Sequence, residues 1–202
     1  MGISNIIFLL VLVGSSAFFG YNVNKIIKNI RLGRDEDRSD NKKERWKTMA
    51  RVALGQSKMT ARPVAAVLHI FIYVAFLFTQ IELIEIIIDG SFGTHRFFHE
   101  PLGGLYTFII SLIEILSFLA LIATFAFLSR RNLLKLPRFQ KSEMNGWPKL
   151  DGNIILYLEF ILVICIFTMN GADEALHAEA GLGSYGFALS SLYGSAVFGG
   201  ME

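Results

Sequence analysis

Four long apolar runs, separated by stretches that carry most of the charge, organise this 202-residue chain. A bilayer core about 30 Å thick takes roughly 20 mainly apolar residues in a helix. The runs cover approximately residues 3–27, 64–88, 102–128 and 154–169, the last being the shortest. The pattern predicts an all-α integral membrane fold with four transmembrane helices in an up-down bundle. A cleaved signal peptide is not expected at the start. No Lys or Arg precedes the first run, and the run is too long for the apolar centre of a signal.

Charge then orients the spans. Residues 22–62 hold twelve Lys and Arg and residues 129–149 hold six, whereas the loop 89–101 holds only Arg96 and nothing basic follows Met169. Lys and Arg accumulate on the cytoplasmic side. The loops 28–63 and 129–153 are therefore expected inside, and both termini outside. The tail 170–202 is rich in Gly and Ser, with six glycines and four serines between Gly181 and Gly200. That favours an interfacial or re-entrant segment over a fifth span. In the first basic loop, Trp46, Met49, Val52 and Leu54 recur near helical spacing, which predicts a short amphipathic helix at the inner membrane surface. It is either a solvated loop that fixes topology or a docking surface for a cytoplasmic partner. In the second, Gly146, Pro148 and Gly152 mark turns, and Pro148 cannot continue a helix.

Composition agrees with the membrane reading. Hydrophobic residues make up 53% of the chain and charged ones 18%, below the soluble average of about 25%. The single cysteine, Cys165, excludes an intrachain disulfide and leaves no cysteine cluster for zinc or an iron–sulfur centre. No glycine-rich nucleotide motif follows a strand pattern, and no nucleic-acid partner is expected.

Ionisable residues inside spans are rare and are candidates for function. Here they are His69, Glu82, Glu85, Glu114 and Glu159. His69 lies about five residues, roughly 8 Å, inside the second run, and Tyr73, Phe76 and Gln80 share its face at about 100° per residue. This face is expected to look into protein or cofactor. His69 is then either hydrogen-bonded to a neighbouring helix or an axial ligand to haem iron. A haem held by two histidines needs a second one at the same depth. His95, His99 and His177 all fall on the outer side, about 30 Å away, so the partner would lie on another chain or on missing sequence. His95 and His99, four apart, are either interfacial polar residues or hold a ligand to a second haem. His177, among acids, is expected in solvent. Glu82 and Glu85 lie opposite the His69 face. Glu114 and Glu159 are either proton acceptors near a haem-bound imidazole or a quinone, or hydrogen-bonding links between helices.

The stretches "DRSDNKKERWKTMARVALGQSKM", "RPVAAVLHIFIYVAF", "IELIEIIIDGSFGTHR" and "MNGWPKLDGNIILYLE" resemble the amino-terminal membrane domain of bacterial heterodisulfide-reductase-like iron–sulfur oxidoreductases. That domain is similar to the gamma subunit of respiratory nitrate reductase, a cytochrome b. The resemblance covers essentially the whole chain. It implies a bacterial inner-membrane domain that carries one or two b-type haems and links the quinone pool to a cytoplasmic iron–sulfur domain or subunit. His69, beside Tyr73, and His95 match the family's haem-binding positions, while His99 has no secure counterpart. The resemblance also implies a further histidine-bearing helix and a cysteine-rich region, so the chain is expected to be truncated relative to the family and not catalytically complete alone. The alternative is a non-redox membrane anchor, scaffold or transporter subunit in which His69 only packs.

Overall fold

The computed structural model describes residues 2–34, 37, 40–134, 136–139, 141–144, 146–181 and 185–197. Among these the ordered elements are helices: α1 (Ile3–Arg31), α2 (Lys42–Met49), α3 (Pro63–Phe92), α4 (His99–Leu102), α5 (Gly104–Asn132), α6 (Trp147–Glu179) and α7 (Ser190–Val197). Four of them, α1, α3, α5 and α6, are long and apolar enough to cross a membrane. They are compatible with a multi-pass membrane protein. The short helix expected in the first basic loop is α2, which runs on into a π-helical turn, Ala50–Leu54.

The helix ends follow from local chemistry. Pro63 opens α3, where its missing N–H costs nothing. Gly93 closes that helix at φ +73°, a left-handed conformation suited to glycine, with its N–H bonded to the Asp89 carbonyl. α6 differs most from expectation. Pro148 does not stop a helix but sits in the first turn of one, after Gly146 at φ +77°. The helix then runs 33 residues, the longest among the described residues, well beyond the apolar run 154–169 on both sides. Residues 170–179, read from sequence as the start of the tail, are its last turns. Their polar side chains lower the hydropathy without disfavouring helix. Pro101, just before the third apolar run, lies in the one-turn α4, and α5 starts at Gly104.

The chain divides into two compact units, Met1–Pro63 with Ile84–Phe97, and Val64–Leu83 with Phe98–Glu202. α3 contributes to both. In the first unit, no residue of α1 is buried. Its fixed point is near its start, where the Asn5 side chain donates to the Gly90 carbonyl at 3.0 Å. The Phe8 ring lies so close to Gly90 that a Cβ there would meet it at 2.5 Å, so any side chain at this position would have to displace the ring.

In the second unit, α5 forms the centre. Tyr106, Ile110 and Ile113 are buried with Tyr185 and Phe187 of the tail, and Phe78, Ile81, Phe98 and Leu102 pack around them. At the other end of α5, Asn132 and Asn153 exchange side-chain hydrogen bonds, and the Arg131 guanidinium donates to the carbonyls of Pro148 and Lys149. The end of α5 is thereby fastened to the first turns of α6. Where α6 and α7 meet, a Cβ on Gly194 would come within 2.5 Å of the Gly171 carbonyl oxygen. The approach is open only to glycine, the small-residue packing that brings membrane helices together.

Candidate functional site

The second unit contains a buried polar layer built from three helices and the tail. Glu82 of α3, Glu114 of α5 and Asn170 of α6 are all at most 1% exposed. Asn170 donates to Glu82 at 3.0 Å. The Asn132–Asn153 pair sets the register of α5 against α6. From it, Glu114 lies eighteen residues away (114 to 132) and Asn170 seventeen (153 to 170), so both stand at nearly the same level.

Glu114 accepts hydrogen bonds from the backbone N–H groups of Leu189 (2.9 Å) and Ser190 (3.4 Å) and from the Ser190 hydroxyl. It therefore closes the first turn of α7, supplying an anionic or neutral acceptor where a helix start leaves donors unmatched. Before α7 the tail is not helical, yet several of its backbone groups find side-chain partners on the long helices. Tyr185 N–H donates to Glu174 at 3.2 Å, Thr107 donates to the Tyr185 carbonyl at 3.0 Å, and Ser111 to the Gly186 carbonyl at 3.4 Å. Non-helical backbone is tolerated at membrane depth only when protein supplies partners in this way.

Above the layer lies an aromatic–imidazole cluster. The Tyr185 hydroxyl and His177 Nε2 are hydrogen-bonded at 2.7 Å, in a direction set by the imidazole tautomer. His177 is thus half-buried and paired, which corrects the expectation of a solvated histidine. His99 sets its ring edge-on against Tyr106 and Tyr185, with centroids 5.4 and 5.1 Å apart. In the first unit, Asp89 gathers the loop after α3, accepting from the Thr94 hydroxyl (2.6 Å) and the N–H of Arg96 (2.8 Å). Arg96 is turned inward, 3.7 Å from Glu85 with both side chains buried, and the neighbouring His95 is exposed.

His69 is half-buried, its ring stacked on that of Tyr73 one turn on, with centroids 6.5 Å apart and planes 16° apart. The face expected to point wholly inward does not. Phe76 is exposed, and Gln80 folds back onto the Phe76 carbonyl of its own helix. The fully buried positions toward the middle of α3, Ala75 and Glu82, lie on roughly the opposite face. Measured from the Glu82–Asn170 bond, His69 is thirteen residues along α3 and Glu159 eleven along α6, so they stand at similar levels, roughly 20 and 17 Å away. Glu159 is half-buried.

His99 and His177 belong to the cluster at the far side of the polar layer, on the order of 30 Å along the helices from His69. Within the second unit no described histidine joins His69 on one iron. A haem with two imidazole ligands therefore does not fit the described residues of this unit, although half of one does. Among the described residues, no three of His, Cys, Asp and Glu gather to hold a metal ion either.

Asn170, Glu174, Tyr185, Ser190 and Arg96 were not singled out from sequence. Asn170 and Glu174 are four apart, one face of a helix. That signal becomes readable once α6 is carried past Met169. The tail residues have no comparable signature, because their hydrogen-bond partners on the long helices lie between eight and seventy-eight positions away along the chain.

No family model matches the chain, and no solved structure matches it. It is similar to a protein of Bacillus subtilis (strain 168) described as "Probable iron-sulfur-binding oxidoreductase FadF", with 28% identity over 179 residues. The match takes in 88% of this chain but only 24% of the relative, so the chain spans about a quarter of the protein it matches.

Proposed function

We propose that this chain is the membrane part of an iron–sulfur-linked oxidoreductase in the bacterial cytoplasmic membrane, exchanging electrons between a quinone in the bilayer and iron–sulfur centres on the cytoplasmic side. The observation that carries this reading is the similarity to an iron–sulfur-binding oxidoreductase along 88% of a chain whose four long helices are apolar enough to span. The distribution of Lys and Arg supports an up-down arrangement with the basic loops inside and both termini outside. The basic loops would then face the iron–sulfur partner.

A haem b bound at His69 would supply one-electron transfer between two-electron quinone chemistry and single-electron iron–sulfur centres. His69 would be one of the residues that hold it, through its imidazole, with Tyr73 beside the ring. The other ligand would come from residues beyond those described or from another polypeptide. Glu159, at a similar level along α6, would hold a proton on a carboxyl oxygen. His95, exposed beyond α3, would serve a second haem only with a partner of that kind. The half-complete ligand set also favours a second reading, a non-redox anchor in which His69 packs against protein.

One experiment separates the two. The chain is expressed together with the rest of its coding region and its iron–sulfur partner, purified in detergent, and examined as a dithionite-reduced minus oxidised spectrum. A b-type band is expected. A complex that retains its iron–sulfur centres and shows no such band rejects the haem reading in favour of the anchor.

A further inference from the structure

The loop between α1 and α3 leaves and re-enters span-length helices, so on the membrane reading both of its ends meet the same bilayer face. Within it, α2 is exposed along its whole length. Trp46 and Met49, three apart and so on one face, are 69% and 40% exposed. Lys42 stands one turn before Trp46 on that face, with Lys43 and Lys47 to one side. Leu54, at the end of the π-helical turn, is 62% exposed. Glu44, Arg45, Thr48 and Met49 of α2, with Val52 of the π-helical turn, line an open surface groove of about 840 Å³ that Lys58 borders. From Asp40 to Arg62 there are seven Lys and Arg against two acids, Asp40 and Glu44, and Asp40 is taken up by Arg45 at 3.7 Å.

A large aromatic side chain and a methionine, exposed together and bordered by lysines, suit a surface that offers apolar depth beneath negative charge. A bilayer with anionic headgroups is such a surface. The Trp46 ring would sit at the headgroup–acyl boundary, and the lysine stems would lie along the apolar face with their ammonium groups on lipid phosphates. A soluble protein partner would have to match this charge while leaving Trp46 a pocket.

We propose that α2 and its π-helical turn lie on the cytoplasmic bilayer face as an anionic-lipid-binding helix, with Trp46 as the inserted anchor. The proposal rests on the membrane reading and not on electron transfer. A b-type spectrum that survives changes in α2 keeps the two tests apart.

The chain has two tryptophans, Trp46 and Trp147. In a Trp147→Phe background, the intact protein is placed in nanodiscs of phosphatidylcholine alone or of phosphatidylcholine with phosphatidylglycerol, with brominated acyl chains as quenchers. Trp46 quenching is expected to depend on phosphatidylglycerol and to fall in high salt. Lys43→Gln with Lys47→Gln should weaken the dependence by about thirtyfold, while Lys43→Arg with Lys47→Arg preserves it and shows that the fold is intact. Equal quenching without anionic lipid overturns the headgroup part of the proposal, and no quenching in any disc overturns all of it. Shielding of Trp46 only when the soluble iron–sulfur partner is added makes α2 a protein-docking surface and also overturns it.

Discussion

α1 and α5 are both span-length, apolar and 29 residues long, yet none of the apolar window of α1 is buried while 39% of that of α5 is. Hydrophobicity does not explain the difference, because lipid solvates apolar side chains as well as protein does. The difference lies in polar and small positions. α5 carries Thr107, Ser111 and Glu114 toward the tail, and buries Ser117, Ala120, Ala123 and Thr124 further along. α1 has Asn5 and Phe8 at Gly90, and its own Gly14 and Gly20 have nothing near them. In this chain an apolar run sets where a helix is, and its polar exceptions set what it packs on.

The comparison can be broken at its strongest point first. Glu114→Leu leaves the Leu189 and Ser190 donors without their acceptor, at about 1–3 kcal/mol for each unmatched group. The tail should come away from α5, read as protease cleavage between Tyr185 and Val197 and a fall in detergent melting temperature. Glu114→Gln keeps an acceptor oxygen and should lose less. Gly194→Leu drives a side chain into the Gly171 carbonyl and should cost about 1–3 kcal/mol, with the same readouts. The Glu82–Asn170 bond is smaller. A double-mutant cycle of Glu82→Leu and Asn170→Leu should give a coupling of about 0.6 kcal/mol, with 2 as a ceiling. At the low end, Gly14→Leu and Gly20→Leu on α1 should change the melting temperature little, within about 0.5 kcal/mol. A large loss there would mean that α1 is packed in the working protein, and the contrast with α5 would disappear.

Much of the helical plan was legible in the sequence because it depends on local quantities. Long apolar runs mark α1, α3 and α5 to within a few residues. The exception, α6, ran past its apolar limit because a helix tolerates Asn170, Asp173 and Glu174 where hydropathy does not. The site was less legible. Glu114 stood out as an intramembrane carboxylate, but its role depends on Leu189 and Ser190, some 75 positions on, in a tail whose Gly and Ser content suggested only irregular backbone. His177 looked solvated among Asp173, Glu174 and Glu179, and only the returning tail brings Tyr185 to it. His69 gave the opposite case. Its level on α3 followed from sequence, and the absence of a second histidine beside it in its unit was legible from the same reasoning.

The most direct measurement is the reduced-minus-oxidised spectrum of the complete complex for His69→Ala set beside His177→Ala. The account predicts that His69→Ala removes a b-type band while His177→Ala, which only disturbs the Tyr185 contact, leaves it. A band that survives His69→Ala undiminished would contradict it.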